Sequence, residues 1–135
     1  MPVSNGIRGD KVVAPVQVGR YLSVPMAATV AASSAVTLTY PVEFPCTITQ
    51  LRFRVYLGNQ LSMQVVPSLN HNNSLQPLMR FPSGSKQYLE GDDENDVYRL
   101  SQRAEPGDVI TVTATNTNAS NAYDFSCTFE LLREG

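Results

Sequence analysis

Few side chains in this sequence can do chemistry. The one histidine, His71, lies in "LNHNNSLQP", and the two cysteines, Cys46 and Cys127, stand far apart. A serine or cysteine nucleophile needs a base within hydrogen-bond reach, and a single imidazole is available to serve. No G-x-S-x-G elbow occurs anywhere. His71 therefore reads as a solvated loop histidine, and the chain is expected not to be an enzyme. Without a C-x-x-C, and with one histidine, a zinc set lacks ligands. Cys46 and Cys127 are either bridged, if their strands are neighbours, or two buried thiols. The reading calls for no cofactor.

Carboxylates gather in "EGDDENDVY", where Glu90, Asp92, Asp93, Glu94 and Asp96 crowd one loop. Hard cations take six to eight oxygens, so Asp92, Asp93 and Asp96 form a weak calcium candidate. The spacing does not match an EF-hand, and a solvated acidic turn is the plainer reading. The tripeptide "RGD" at 8–10 and the sequons at Asn72 and Asn118 are short enough to recur by chance. A threonine ladder (Thr111, Thr113 and Thr115 with Thr37 and Thr39) could make a flat ligand face, but threonine is also a favoured residue for an exposed strand.

The most informative polar residues sit in "TQLRFRVYLG". Leu51, Phe53, Val55 and Leu57 alternate with Arg52, Arg54 and Tyr56, so the two sets face opposite sides of a strand. Arginine and tyrosine are enriched at interface hot spots because they bury apolar area while keeping hydrogen bonds. Two arginines on one strand face also discourage edge-to-edge aggregation. As an interface, this face has a charge-complementary partner in the acidic 90–96 loop of a second copy.

The elements that must position these residues are strands. Period-two alternation recurs and no helical period competes. "AVTLTY" places Val36, Leu38 and Tyr40 on one side. "DVITVTATN" sets Ile110, Val112 and Ala114 against threonines. "AYDFSCTFELL" puts Tyr123, Phe125, Cys127, Phe129 and Leu131 inward, and "LSMQVV" does so with Leu61, Met63 and Val65. In "CTITQLRFRVYL" the inward phase slips between Ile48 and Leu51, which predicts a β-bulge near Thr49–Gln50. "YLGNQL" reads as a hairpin and "AEPGDV" as a type II turn with Gly107 at its third position. "NTNASNA" joins the last two long strands, which are expected to pair. The result is an all-β, antiparallel, jelly-roll-like β-sandwich of seven to nine strands.

The first 20 residues differ, with Pro2, Pro15, three glycines and a sparse alternation at Val12, Val16 and Val18. They are read as an extended N-terminal arm (1–20) ahead of a sandwich domain (21–135). The valines give the arm something to bury on a neighbour, so Val12, Val16, Val18, Arg52, Arg54 and Tyr56 are the candidate interface residues. Charged residues are 16% of the chain and the net charge is −2, so nothing attracts nucleic acid. No apolar run suits a membrane span. The charged, proline-bearing start is a poor secretory leader, which points to synthesis in a host cytoplasm.

The valine-bearing arm, the threonine-rich pattern from Ala35 to Leu132 and the leaderless start together resemble small jelly-roll accessory proteins of bacteriophage virions: capsid decoration (cement) proteins, or fibre and spike domains. The resemblance implies a non-enzymatic homo-oligomer located in the virion, whose partner is a major capsid or other virion protein. "EPGDVITVTATN" followed by "YDFSCTFELL" also resembles the final strands of TNF/C1q-like jelly rolls, with Cys127 where those domains often carry glycine. That likeness implies the alternative, a carbohydrate- or receptor-binding module. The absence of tryptophan counts against a sugar platform.

Overall fold

The structure, a computed structural model, describes residues 11–55, 63–78, 89 and 95–134. Ten strands form two antiparallel sheets and, among the described residues, there is no helix. Sheet A contains β1 (Lys11–Val13), β2 (Val16–Val18), β3 (Tyr21–Val30), β5 (Cys46–Val55), β8 (Asn95–Ala104) and β10 (Tyr123–Arg133). Its order is β1-β3-β10-β5-β8, with β2 alongside β1 on the same edge of β3. Sheet B has the order β4-β9-β6-β7, from β4 (Ser34–Pro41), β9 (Val109–Asn116), β6 (Met63–His71) and β7 (Ser74–Pro77).

From β3 onward the chain changes sheet at every connection except β6 to β7, which gives the two-Greek-key jelly roll. The sandwich is thus as expected, with β1, β2 and the short β7 raising the strand number to ten. Two local pairings differ from expectation. β9 and β10 lie in different sheets, so "NTNASNA" is a sheet-to-sheet crossing. Likewise β5 and β6 lie in different sheets and do not pair as the hairpin expected across "YLGNQL", a segment outside the described residues. Alternation fixes which side chains face inward but not which strand is the neighbour, and both errors have that origin.

The alternation itself is obeyed throughout. Leu51, Phe53, Val55, Met63, Val65, Ile110, Val112, Ala114, Phe125, Cys127, Phe129 and Leu131 are all fully buried between the sheets. The anticipated bulge is present. Glu130 pairs with Gln50 and Leu131 with Ile48, so Thr49 is an extra residue, and its hydroxyl donates to the Glu130 carbonyl at 3.1 Å. On the other flank, Gln50 pairs with Arg99 but Ile48 with Gln102. β8 therefore carries an extra residue relative to β5, and the irregularity crosses three strands.

Turns and crossings close on local chemistry. Gly107 has φ +96°, a left-handed value suited to glycine, and Asp108 N donates to the Glu105 carbonyl at 3.0 Å, as a type II turn requires. The hairpin from β6 to β7 turns on Asn72 and Asn73, both with positive φ (51° and 63°), the type I′ geometry that asparagine tolerates. In the β9–β10 crossing, buried Asn116 donates to the Val30 and Asn121 carbonyls and accepts from Asn118 N. One amide thereby ties the ends of both sheets.

Cys46 and Cys127 are buried free thiols. In the β5–β10 ladder Cys46 pairs with Arg133 and Cys127 with Phe53, so six residues of strand separate them and no bridge can form. Burial, reinforced by Glu134, pushes the Cys46 thiol up to about 11, and burial pushes Cys127 up as well. We expect Ellman's reagent to leave the native protein unlabelled at pH 8 and to report two thiols per chain in guanidinium. Rapid native labelling would contradict this packing.

Candidate functional site

Two surfaces are candidates, and the register of each sheet determines what they carry. The first is the outer face of sheet A. Val12 pairs with Ala27, Val16 with Ser23 and Val18 with Tyr21, which puts these valines on the outward side of β3. Val13 pairs with buried Met26 instead and packs against the core. Lys11 to Val18 of the arm thus lie along the edge of β3 in the same chain. Val12, Val16, Val18 and Tyr21 are 36, 59, 74 and 53% exposed. Leu132 continues the row, since it pairs with Tyr21 on one side and Thr47 on the other.

Further across the same face lie Ser126 and Thr128 of β10, then Arg54 and Arg52 of β5, which pair with them. Arg52 is exposed, Arg54 is half-buried, and Val97 of β8, 47% exposed, pairs with Arg52. Five of the six exposed large hydrophobics among the described residues (Val12, Val16, Val18, Tyr21 and Val97) therefore share one sheet face; Leu75 is the sixth. Tyr56, Asp92 and Asp93 lie outside the described residues, as do Glu90, Glu94 and the RGD tripeptide. Asp96 is in β8, 3.5 Å from the Tyr98 hydroxyl that donates to it. No group of three metal-ligating side chains forms among the described residues.

The second surface is a groove along the long side of the sandwich where the edge strands β7 and β8 face each other. One part, of about 540 Å³, is lined by Gln76, Leu78, Arg99, Leu100 and Gln102 among others. A second part, of about 330 Å³, is lined by Leu69, His71, Gln76, Gln102 and Asp108 among others. Gln76 and Gln102 belong to both, so the two parts are continuous.

His71 is where the sequence reading needs correction. It ends β6 rather than floating in a loop, and its Nδ1 lies 2.6 Å from Asp108 Oδ1. The other Asp108 oxygen accepts from Glu105 N at 2.9 Å, so this carboxylate braces the Pro106–Gly107 turn and orients the imidazole together. Asp108 is almost fully buried while His71 stays 42% exposed along its side chain. Asn72 Nδ2 lies 3.2 Å from Nε2, an arrangement in which Nδ1–H donates to Asp108 and Nε2 accepts. Nearby, Arg103 is held by both Glu105 and Glu134. Sequence reasoning missed Asp108, which lies 37 positions from His71; the one available signal was its place directly after a Pro-Gly turn. The threonine ladder exists on the outer face of sheet B, where Thr37 pairs with Thr113 and Thr39 with Thr111.

No protein-family model matches the sequence, and no curated protein sequence matches it. Solved structures share the fold. The chain is similar to TmCBM61, a carbohydrate-binding module solved with β-1,4-galactotriose, at 13% identity and TM-score 0.51, over 96% of this chain and 92% of that one. It is more distantly similar to an infectious bursal disease virus structure (Gt strain), at 11% identity and TM-score 0.37, over all of this chain and 40% of that one. A third likeness is to the Schizosaccharomyces pombe Cnp3 cupin domain, at 9% identity and TM-score 0.34, over 90% of this chain and 64% of that one. The likeness to TmCBM61 shows a shared jelly-roll-like β-sandwich fold.

The two halves of the His71–Asp108 pair should differ in cost. Asp108→Ala leaves the Glu105 N–H without its acceptor in a buried setting and is expected to destabilise the fold by about 1–3 kcal/mol. His71→Ala removes a half-exposed ring and should cost less than about 1 kcal/mol. Urea unfolding of both variants measures the difference; equal costs would show that the turn does not depend on the carboxylate.

Proposed function

We propose that this protein is a non-enzymatic structural component of a virion, a decoration or cement protein of a bacteriophage capsid, that docks on the assembled shell through the outer face of sheet A. The observation that carries this reading is the gathering of Val12, Val16, Val18, Tyr21 and Val97 on one face. Val12, Val16, Val18 and Tyr21 form one row along the β3 edge, with Val97 across the face on β8, and apolar residues grouped in this way mark interaction surfaces where singly scattered ones do not. Arg52 adds a charged anchor of the type that interfaces favour. A protein that binds only the assembled shell stabilises it by mass action and needs no reaction centre.

The edge strands fit this role mechanically. β1 and β2 are three-residue strands, separated by Ala14 and Pro15, laid on the edge of β3. They cover the backbone of that edge while their outward valines stay presented. Proline in an edge segment blocks further strand addition, so the docking is of side chains on a surface rather than of one sheet extending into another.

Val16→Asp combined with Val18→Asp tests the proposal. Both positions are well exposed, so stability should change by no more than about 0.5 kcal/mol each. Co-sedimentation with the shell particles should fall at least tenfold, and self-association seen by light scattering should fall with it. Arg52→Glu should weaken both readouts in the same direction. Undiminished co-sedimentation of the folded double variant would remove the basis of this reading.

A further inference from the structure

The groove between β7 and β8 is built against the rule that the rest of the sandwich obeys. Its key side chains are inward-facing. Gln102 pairs with buried Ile48 and belongs to the inward series with Tyr98 and Leu100. Gln76 pairs with buried Leu69, and His71 continues the inward set of β6 after Val65, Pro67 and Leu69. Most other inward positions are apolar, with Asn116 of β9 and Asp96 of β8 as exceptions at the ends of their strands. Two carboxamides and an imidazole in inner-face positions mean that the open side of the sandwich is shaped to hold polar matter between its sheets.

We propose that this groove is a binding site for a neutral, hydroxyl-rich ligand, a short oligosaccharide. Charge argues for neutrality. Among the groove's own described residues Asp108 is engaged by His71, and Arg103 by two glutamates, so Arg99 at one rim is its one cation outside an ion pair. The groups left to recognise a ligand are the Gln76 and Gln102 amides, each offering a donor and an acceptor to neighbouring hydroxyls. Leu69, Leu78 and Leu100 supply apolar wall for the C–H faces of a sugar ring. The volume of the larger part, about 540 Å³, is that of a small-ligand cleft.

Asp108 is a positioning residue here. Held at Nδ1 by Asp108 and met at Nε2 by the Asn72 amide, the imidazole is a fixed polar wall of the groove. The site is distinct from the docking face, because the β7–β8 side of the sandwich builds it, whereas the row of valines with Tyr21 lies along the opposite, β3 edge of sheet A. Its failure and the failure of the docking reading can therefore be told apart.

The experiment is a titration of the isotope-labelled protein with maltotriose, cellotriose, xylotriose and lactose, following side-chain amide resonances by NMR. At least one probe should shift the Gln76 and Gln102 carboxamide signals and saturate in the millimolar range or below. Gln102→Leu and, at the exposed position, Gln76→Ala should each weaken that binding about tenfold, the effect expected when a ligand hydroxyl loses its partner. Val16→Asp/Val18→Asp should bind the sugar as the parent does. No shift of either carboxamide with any probe overturns the proposal. So does a shift confined to the outer face of sheet A, or an affinity unchanged from the parent in both glutamine variants.

Discussion

The structure depends on the closure of two sheets over one set of alternating side chains. Leu51, Phe53, Ile110, Val112, Phe125 and Phe129 are completely removed from water, and a strand can place every second residue there only if its neighbours do the same. A fully buried aliphatic or aromatic side chain contributes roughly 1.5–3 kcal/mol of transfer free energy. That is why a chain with no disulfide among its described residues holds a sandwich together. Even the Thr49 bulge serves this constraint, since the extra residue returns Ile48 and Cys46 to the interior after the phase has slipped.

The constraint leaves two places for surface chemistry, and the two long sides of the sandwich use them differently. On the β3 side, β1 and β2 cap the edge and turn their valines outward. On the β7–β8 side the apolar filling stops short and Gln76, Gln102 and His71 take its place. A jelly roll can in this way present a flat apolar contact and a wet polar cleft without either disturbing the other, because they lie on opposite long sides of the sandwich.

Much of this was legible in the sequence. The strands, their inward sets, the bulge near Thr49 and the Pro106–Gly107 turn all follow from period two and local turn chemistry, which need only neighbouring residues. What could not be read was anything set by strands far apart in the chain. The partners of β9 and β10, the four-residue strand β7 after Asn72–Asn73, and the carboxylate that meets His71 arise from the crossing pattern. Arg52 and the arm valines were legible as outward residues. That they share one face with Tyr21 and Val97 became visible only with the register of five strands.

The order of sheet A also governs how the chain reaches its shape. The last strand, β10, is not at an edge but at the centre, hydrogen-bonded to β3 on one side and β5 on the other. A ribosome that has delivered the chain as far as β9 has therefore released β3 and β5 without their common neighbour. Their pairing must wait for Tyr123 to Arg133, and contacts across such sequence distances close slowly. Until β10 is made, the inward faces of β3 and β5 lack their common neighbour, a window in which chaperone capture or misassociation competes with folding.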